Sequence, residues 1–185
     1  VTIECDQPLP TDEPTAEDNC DDYVDISHND VTLPGNCPDT YTVVRTFTAE
    51  DDCGNTSTAE QIINVYDTTD PVIIGAPDDI TVECDAVPDA PVVYQDITAE
   101  DNCDEDVTID FFENIVPGNC EDNYQIVRSW IAVDNCGNSS DENQIITVQD
   151  TQAPEFTYTP ADVTIECDQP IPTDEPTADL SLIHI

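Results

Sequence analysis

The sequence predicts an all-β chain, and three observations carry that expectation. Of 43 Val, Ile, Leu and Phe residues, 35 are Val or Ile and only 4 are Leu. β-Branched side chains lose χ1 freedom in helices and pack well on a pleated surface. Fifteen prolines are scattered along the 185 residues, which nearly excludes a long helix. Nine cysteines recur at near-regular spacing, so short strands are expected to be stapled covalently.

An internal repeat orders these elements. Val1–Ala16, VTIECDQPLPTDEPTA, returns as Val163–Ala178 with one change, Leu9 to Ile171. Tyr41–Asn55, YTVVRTFTAEDDCGN, returns as Tyr124–Asn138, YQIVRSWIAVDNCGN, and the TAEDNC ending at Cys20 returns ending at Cys103. The chain therefore divides into a domain over 1–66 with an incomplete first strand, a linker 67–71, a second domain 72–149, a linker 150–154 and the opening of a third copy over 155–178. The first copy lacks a counterpart of Pro71–Asp79, which the third possesses as Pro154–Asp162. Either the sequence is cut from a longer array, or one subunit's C-terminal strand completes the next subunit's first domain. With no Met and no signal-peptide pattern, it reads as a mature or internal segment. The last residues, 179–185 (DLSLIHI), depart from the repeat and receive no function.

Turn residues separate five candidate strands in the second copy: Ile80–Glu83, Val92–Thr98, Val107–Phe112, Gln125–Val133 and Gln144–Val148. Short strands at this density, with termini leading straight to neighbours, predict tandem immunoglobulin-like β-sandwiches. Cysteines 5, 20, 37 and 53, then 84, 103, 120 and 136, give four per domain, a disulfide framework of an oxidising extracellular compartment, with Cys167 opening the third copy. Zinc competes, but there is no CxxC pair and His is nearly absent. In the sandwich topology Cys84 and Cys120 fall near one end of the domain, and Cys103 and Cys136 near the other. Nine extended residues span about 30 Å, far beyond disulfide reach. The expected pairs are thus Cys5–Cys37, Cys20–Cys53, Cys84–Cys120 and Cys103–Cys136, two per domain.

Together TAEDNC, GNC, Y-x-(V/I)-V-R-(T/S)-(F/W), D-(D/N)-C-G-N and the closing I-I-x-V-x-D-T resemble the HYR-like domain. This is an immunoglobulin-like module found in tandem on secreted surface proteins, especially of Bacteroidota. The resemblance covers residues 1–178. It implies a bacterial, secreted or cell-surface location and non-enzymatic work in adhesion or surface architecture.

Charge narrows the partners. Forty-three Asp and Glu face only Arg45 and Arg128, a net −41. Nucleic acid needs a cationic footprint, and an anionic membrane surface would repel such a chain. No apolar run is long enough for membrane insertion. Acids concentrate in two loops per copy and in the linker Asp67–Pro71. Asp18, Asp21, Asp51, Asp67, Asp70, Asp101, Asp104 and Asp134 are the candidate ligands for interdomain Ca²⁺, which takes six to eight hard oxygens. The alternatives are a merely solvated acidic surface or halophilic solvation. No organic cofactor is expected.

Arg45 and Arg128 occupy equivalent positions on the aromatic-bearing face of their strands, where a structural role is expected: stacked on the aromatic and bonded to a carboxylate, with Glu4 and Glu83 as candidates. Asn55 and Asn138 head N-x-(S/T) acceptor patterns, although either can simply shape its turn, and Thr68 resembles a bacterial O-glycosylation site. Catalysis is not expected. His28 aligns with Phe111, no phosphate loop exists among 5 glycines, and carboxylate pairs are uninformative among 43 acids. The expected function is a stalk or filament of repeats meeting their copies head to tail. The alternative is an adhesin whose acidic tip loops bind carbohydrate, a protein or another cell-surface ligand.

Overall fold

A computed structural model of the chain describes residues 1–179; the tail therefore lies, from Leu180 onward, outside the described residues. Twelve strands run in order: β1 (Thr2–Glu4), β2 (Asp25–Pro34), β3 (Tyr41–Glu50), β4 (Thr56–Tyr66), β5 (Val72–Ile74), β6 (Ile80–Glu83), β7 (Thr98–Glu100), β8 (Thr108–Cys120), β9 (Asn123–Val133), β10 (Ser139–Gln149), β11 (Glu155–Tyr158) and β12 (Thr177–Asp179). No helix occurs among the described residues, so the all-β expectation holds.

The repeat in sequence is a repeat in topology. One sheet has the order β1-β4-β3-β2 and another β6-β10-β9-β8, the same arrangement one copy later. β1 runs parallel to β4 as β6 does to β10, and the other pairs of the first sheet are antiparallel. Two-stranded sheets form from β5 with β7 and from β11 with β12, both antiparallel. Period-two alternation buries Val43, Arg45 and Phe47 on β3, and Ile126, Arg128, Trp130 and Ala132 on β9. Gly35 and Gly118 serve the turns entering β3 and β9, where a Cβ would collide with the carbonyl oxygens of Thr40 and Asn123.

The chain packs as two compact units. The first comprises Val1–Pro77, Pro91–Glu113 and Arg128–Gln144. Within it β5 and β7 lie against β8 and β9 as a sandwich: Ile97, Val107, Ile109, Trp130 and Ala132 form the core, with Ile73, Ala99 and Phe111 packed on it. A separate core of Val43, Ile63 and Val65, lined by Ile3, Leu9 and Tyr41, serves the first copy. There Ala16, Ile26, Phe47 and Ala49 line a groove at the position that β5 covers in the second copy. The second unit comprises Asp78–Ala90, Asn114–Val127 and the described part of Ile145–Ile185, around Ile126, Ile146 and Val148.

Three expectations are corrected. Val92–Thr98 is not a strand: the Val92 carbonyl accepts from the N–H groups of Gln95 and Asp96, and Tyr94 adopts φ 64°. Only Thr98 joins β7. β5 was not expected, because three residues beside a linker show no alternation to read. The third concerns the disulfides. In place of Cys5–Cys37 and Cys103–Cys136, the structure bonds Cys5 to Cys103 and Cys37 to Cys136, with Cα separations of 6.0 and 5.1 Å. Cys20, Cys53, Cys84, Cys120 and Cys167 are free thiols, so Cys20–Cys53 and Cys84–Cys120 are not formed. The bonds run from the first and third cysteines of one copy to the second and fourth of the next. Spacing sorts cysteines by the end of the domain they occupy, but not between partners inside one copy and partners across the junction.

Candidate metal centre

The acidic loops fold by the same local rule in both copies. Asp134 Oδ1 accepts from the N–H groups of Cys136 (2.8 Å), Gly137 (2.6 Å) and Asn138 (2.9 Å), and Oδ2 from Asn138 Nδ2 (2.7 Å). Asp51 accepts equivalently from Cys53 and Asn55, again with a 2.7 Å bond from Asn55 Nδ2. Gly54 and Gly137 supply the positive φ, 83° and 92°, that closes each loop. The Asn55 and Asn138 amides thus shape their turns. For Asp51 the Asn55 side-chain bond and then its N–H lower the pKa. At Asp134 burial raises it, and the bonds from Asn138, Cys136 and Gly137 more than offset that, leaving it below the usual value.

A second clamp joins neighbouring loops. Asp104 Oδ2 accepts the Asn135 N–H at 2.8 Å, as Asp21 Oδ2 accepts that of Asp52 at 3.0 Å. With the loops clamped, Asp101 and Asp134 approach each other and meet Asp67 from the linker. One carboxylate oxygen of each lies within 4.8 Å of the others. Asp67 is 6% exposed, and Asp67 Oδ2 and Asp101 Oδ2 are buried with no hydrogen-bond partner among the described residues. Burial, and then the charges of Asp134, Asp101 and Glu4, push the Asp67 carboxyl up to about 6 against a bond from the Thr69 N–H. The Cys5 and Cys103 sulfurs lie beside Asp67. All of this lies in the first unit.

Of the eight expected ligands, six therefore gather in two groups of three: Asp67 with Asp101 and Asp134, and Asp18 with Asp21 and Asp51. Asp104 joins neither group; its Oδ2 accepts the Asn135 N–H and its Oδ1 the Asp106 N–H at 2.9 Å. Asp70 accepts the Ser139 N–H at 3.2 Å. Thr68 donates through both its N–H and its hydroxyl to Glu4, and Thr151 does the same to Glu83 in the next linker.

Glu4 and Glu83 are therefore linker anchors, which corrects their expected pairing with the arginines. Arg45 instead makes a bidentate pair with Asp30, 2.9 Å on each side, and donates to the Pro10 carbonyl. Asp30 lies directly opposite it across β2 and β3. Arg128 meets the equivalent Glu113 at 2.8 Å. The adjacent strand supplies a carboxylate without any long-range placement, and for that reason wins. The aromatic rings make other contacts: Phe47 meets His28 and Trp130 meets Phe111, each pair tilted, so the His28 position is one of ring-to-ring contact.

No family model matches the sequence, and no curated protein matches it. Similar solved structures include Drosophila N-cadherin EC1-4, at TM-score 0.34 and 12% identity over 80% of this chain and 47% of that one. Human mucin-like protocadherin EC1-2 aligns at TM-score 0.28 and 12% identity over 81% and 95%. Mouse clustered PcdhgC3 EC1-3 aligns at TM-score 0.28 and 17% identity over 69% and 47%. The chain thus spans about half the length of the first and third. Likeness this distant carries no inference about activity, and none of the described helices could cross a membrane because there are none.

Proposed function

We propose that the chain is a non-enzymatic, extracellular structural and adhesive repeat protein of the HYR-like kind. Its domains over 1–66 and 72–149 and the partial copy at 155–178 stand head to tail in a stalk or filament, and Ca²⁺ stiffens the junctions. One observation carries the reading: Asp67, Asp101 and Asp134 converge from a linker and two loops, with two carboxylate oxygens buried and unpartnered. Desolvating anionic oxygens without donors or a cation is costly. Arg45 and Arg128 are already paired, so above about pH 6, where Asp67 gives up its proton, a bound cation would supply the compensation. Hard, all-oxygen ligands on flexible loops suit Ca²⁺, with carbonyls and water completing the shell. The ion would tie the linker to both loops, whereas the empty site repels itself. Asp150 stands at the position of Asp67 one copy later, so the linker's share of the site recurs after the second copy.

The test is calorimetric titration of Ca²⁺ into the full chain at fixed ionic strength, alongside thermal melting with and without chelator. Saturable binding that Asp101→Asn abolishes, with a rise in melting temperature of several degrees, is the expected result. A melting temperature that tracks monovalent salt and ignores chelator would overturn the cation and favour simple solvation of the acids.

A further inference from the structure

The two disulfides define a rule for joining copies, and four free thiols stand where that rule would apply again. Cys5 leaves β1 with its N–H on the Tyr66 carbonyl at 2.9 Å; Cys84 leaves β6 with its N–H on the equivalent Gln149 carbonyl at 3.0 Å. Cys120 follows Gly118 by two residues as Cys37 follows Gly35, and both glycines approach the equivalent carbonyl. At the other end, the N–H groups of Cys103 and Cys136 bond Asp101 and Asp134 at 2.8 Å each. Those of Cys20 and Cys53 bond Asp18 and Asp51 at 2.8 and 2.9 Å. The Asp21 to Asp52 clamp joins the loops that carry Cys20 and Cys53 as the Asp104 to Asn135 clamp joins those of Cys103 and Cys136. Cys20, Cys53 and Cys120 are exposed and Cys84 is half-buried.

We propose that Cys84 and Cys120 of one chain bond Cys20 and Cys53 of a second copy, Cys84 to Cys20 and Cys120 to Cys53, so that every junction carries two disulfides. The inference rests on the head-to-tail order of the copies but not on the cation. Cys84, Cys20 and Cys53 are placed by the same hydrogen bonds as Cys5, Cys103 and Cys136, and Cys120 follows the same close glycine approach as Cys37, so each bonded counterpart points to the mate. Formation uses a small disulfide such as oxidised glutathione. One cysteine thiolate attacks it, releasing glutathione and leaving a mixed disulfide. The opposing cysteine thiolate then attacks the protein sulfur and releases a second glutathione. Two protein thiols thereby lose two electrons and two protons, and the oxidant becomes two thiols.

The full chain is incubated over a range of concentrations in a glutathione redox buffer, as an equal mixture of ¹⁵N-labelled and unlabelled protein. Non-reducing gels are expected to show a concentration-dependent ladder, and mass spectrometry of Glu-C peptides should find Cys84–Cys20 and Cys120–Cys53, half of them with mixed labels. The Cys20→Ser/Cys53→Ser double variant should stay at a single band while melting as the unassembled wild-type chain does. Peptides joining Cys84 to Cys120, Cys20 to Cys53, Cys84 to Cys53, or Cys167 in place of Cys84 would overturn the proposal. Concentration-dependent assembly by light scattering without these peptides overturns the disulfides and leaves the head-to-tail order standing; no assembly at any concentration removes both.

Discussion

Asp67 and its neighbours respond to pH in opposite senses. Without a cation, the folded chain holds a proton on Asp67 between about pH 4 and 6 that the unfolded chain has released. This contribution to stability therefore grows as pH falls through 6 and is lost as pH rises through it. Asp30, Asp51, Glu83 and Asp134 are held below their ordinary values, so their contribution is present above about pH 4 and lost as pH falls through their folded values. The metal-free melting temperature is expected to peak between about pH 4 and 6, and Asp67→Asn should flatten the upper limb. Ca²⁺ must displace the same proton, so its affinity should fall below pH 6 with about one proton released per ion. Calorimetry in buffers of different ionisation enthalpy measures that release.

At the scale of single strands, β3 and β9 carry the decisive pattern. Each places an arginine among apolar neighbours on its inward face and pairs it with a carboxylate on the adjacent strand. Arg128 is 3% exposed and its partner Glu113 is more open to solvent, so the pair holds a largely desolvated cation. Glu113→Gln and Arg128→Gln should each lower the melting temperature by roughly 5 °C or more. Scanning calorimetry decides, and an unchanged melting temperature would mean that the pair contributes nothing to stability. Trp130 is fully buried at the centre of the same strand, where β5 and β7 cover it. Trp130→Ala should remove about 3–5 kcal/mol and expose the second copy to proteolysis first.

At the scale of the whole molecule, connectivity matters more than any one contact. The disulfides close loops with sequence separations of 98 and 99 residues, and each alone would be worth about 4–5 kcal/mol by the loop-entropy argument. They are not independent, because once Cys5 is joined to Cys103 the path to the second bond is shorter. Cys37→Ser should accordingly cost less than half of what full reduction costs, as measured by urea unfolding with and without reductant. The net charge of −41 opposes compaction throughout, which makes covalent closure and a bound cation physically complementary.

By itself the sequence determined the all-β class, the repeat and the acid-rich loops that accompany the cysteines. β-Branched periodicity, turn residues and an 83-residue echo such as Tyr41–Asn55 with Tyr124–Asn138 are local facts, and local backbone physics acts on them directly. The acid-rich loops were legible for the same reason, since Asp favours hydrogen bonds to its own backbone two residues on, as Asp18, Asp51, Asp101 and Asp134 make here. Only the tertiary structure decided partners. It chose Cys103 rather than Cys37 for Cys5, Asp30 rather than Glu4 for Arg45, and Asp67, Asp101 and Asp134 but not Asp104 for the buried cluster. Several chemically equal groups reach each end of a domain, so composition and spacing leave the choice degenerate. Distances of a few ångströms, set by the packing of strands far apart in sequence, resolve it.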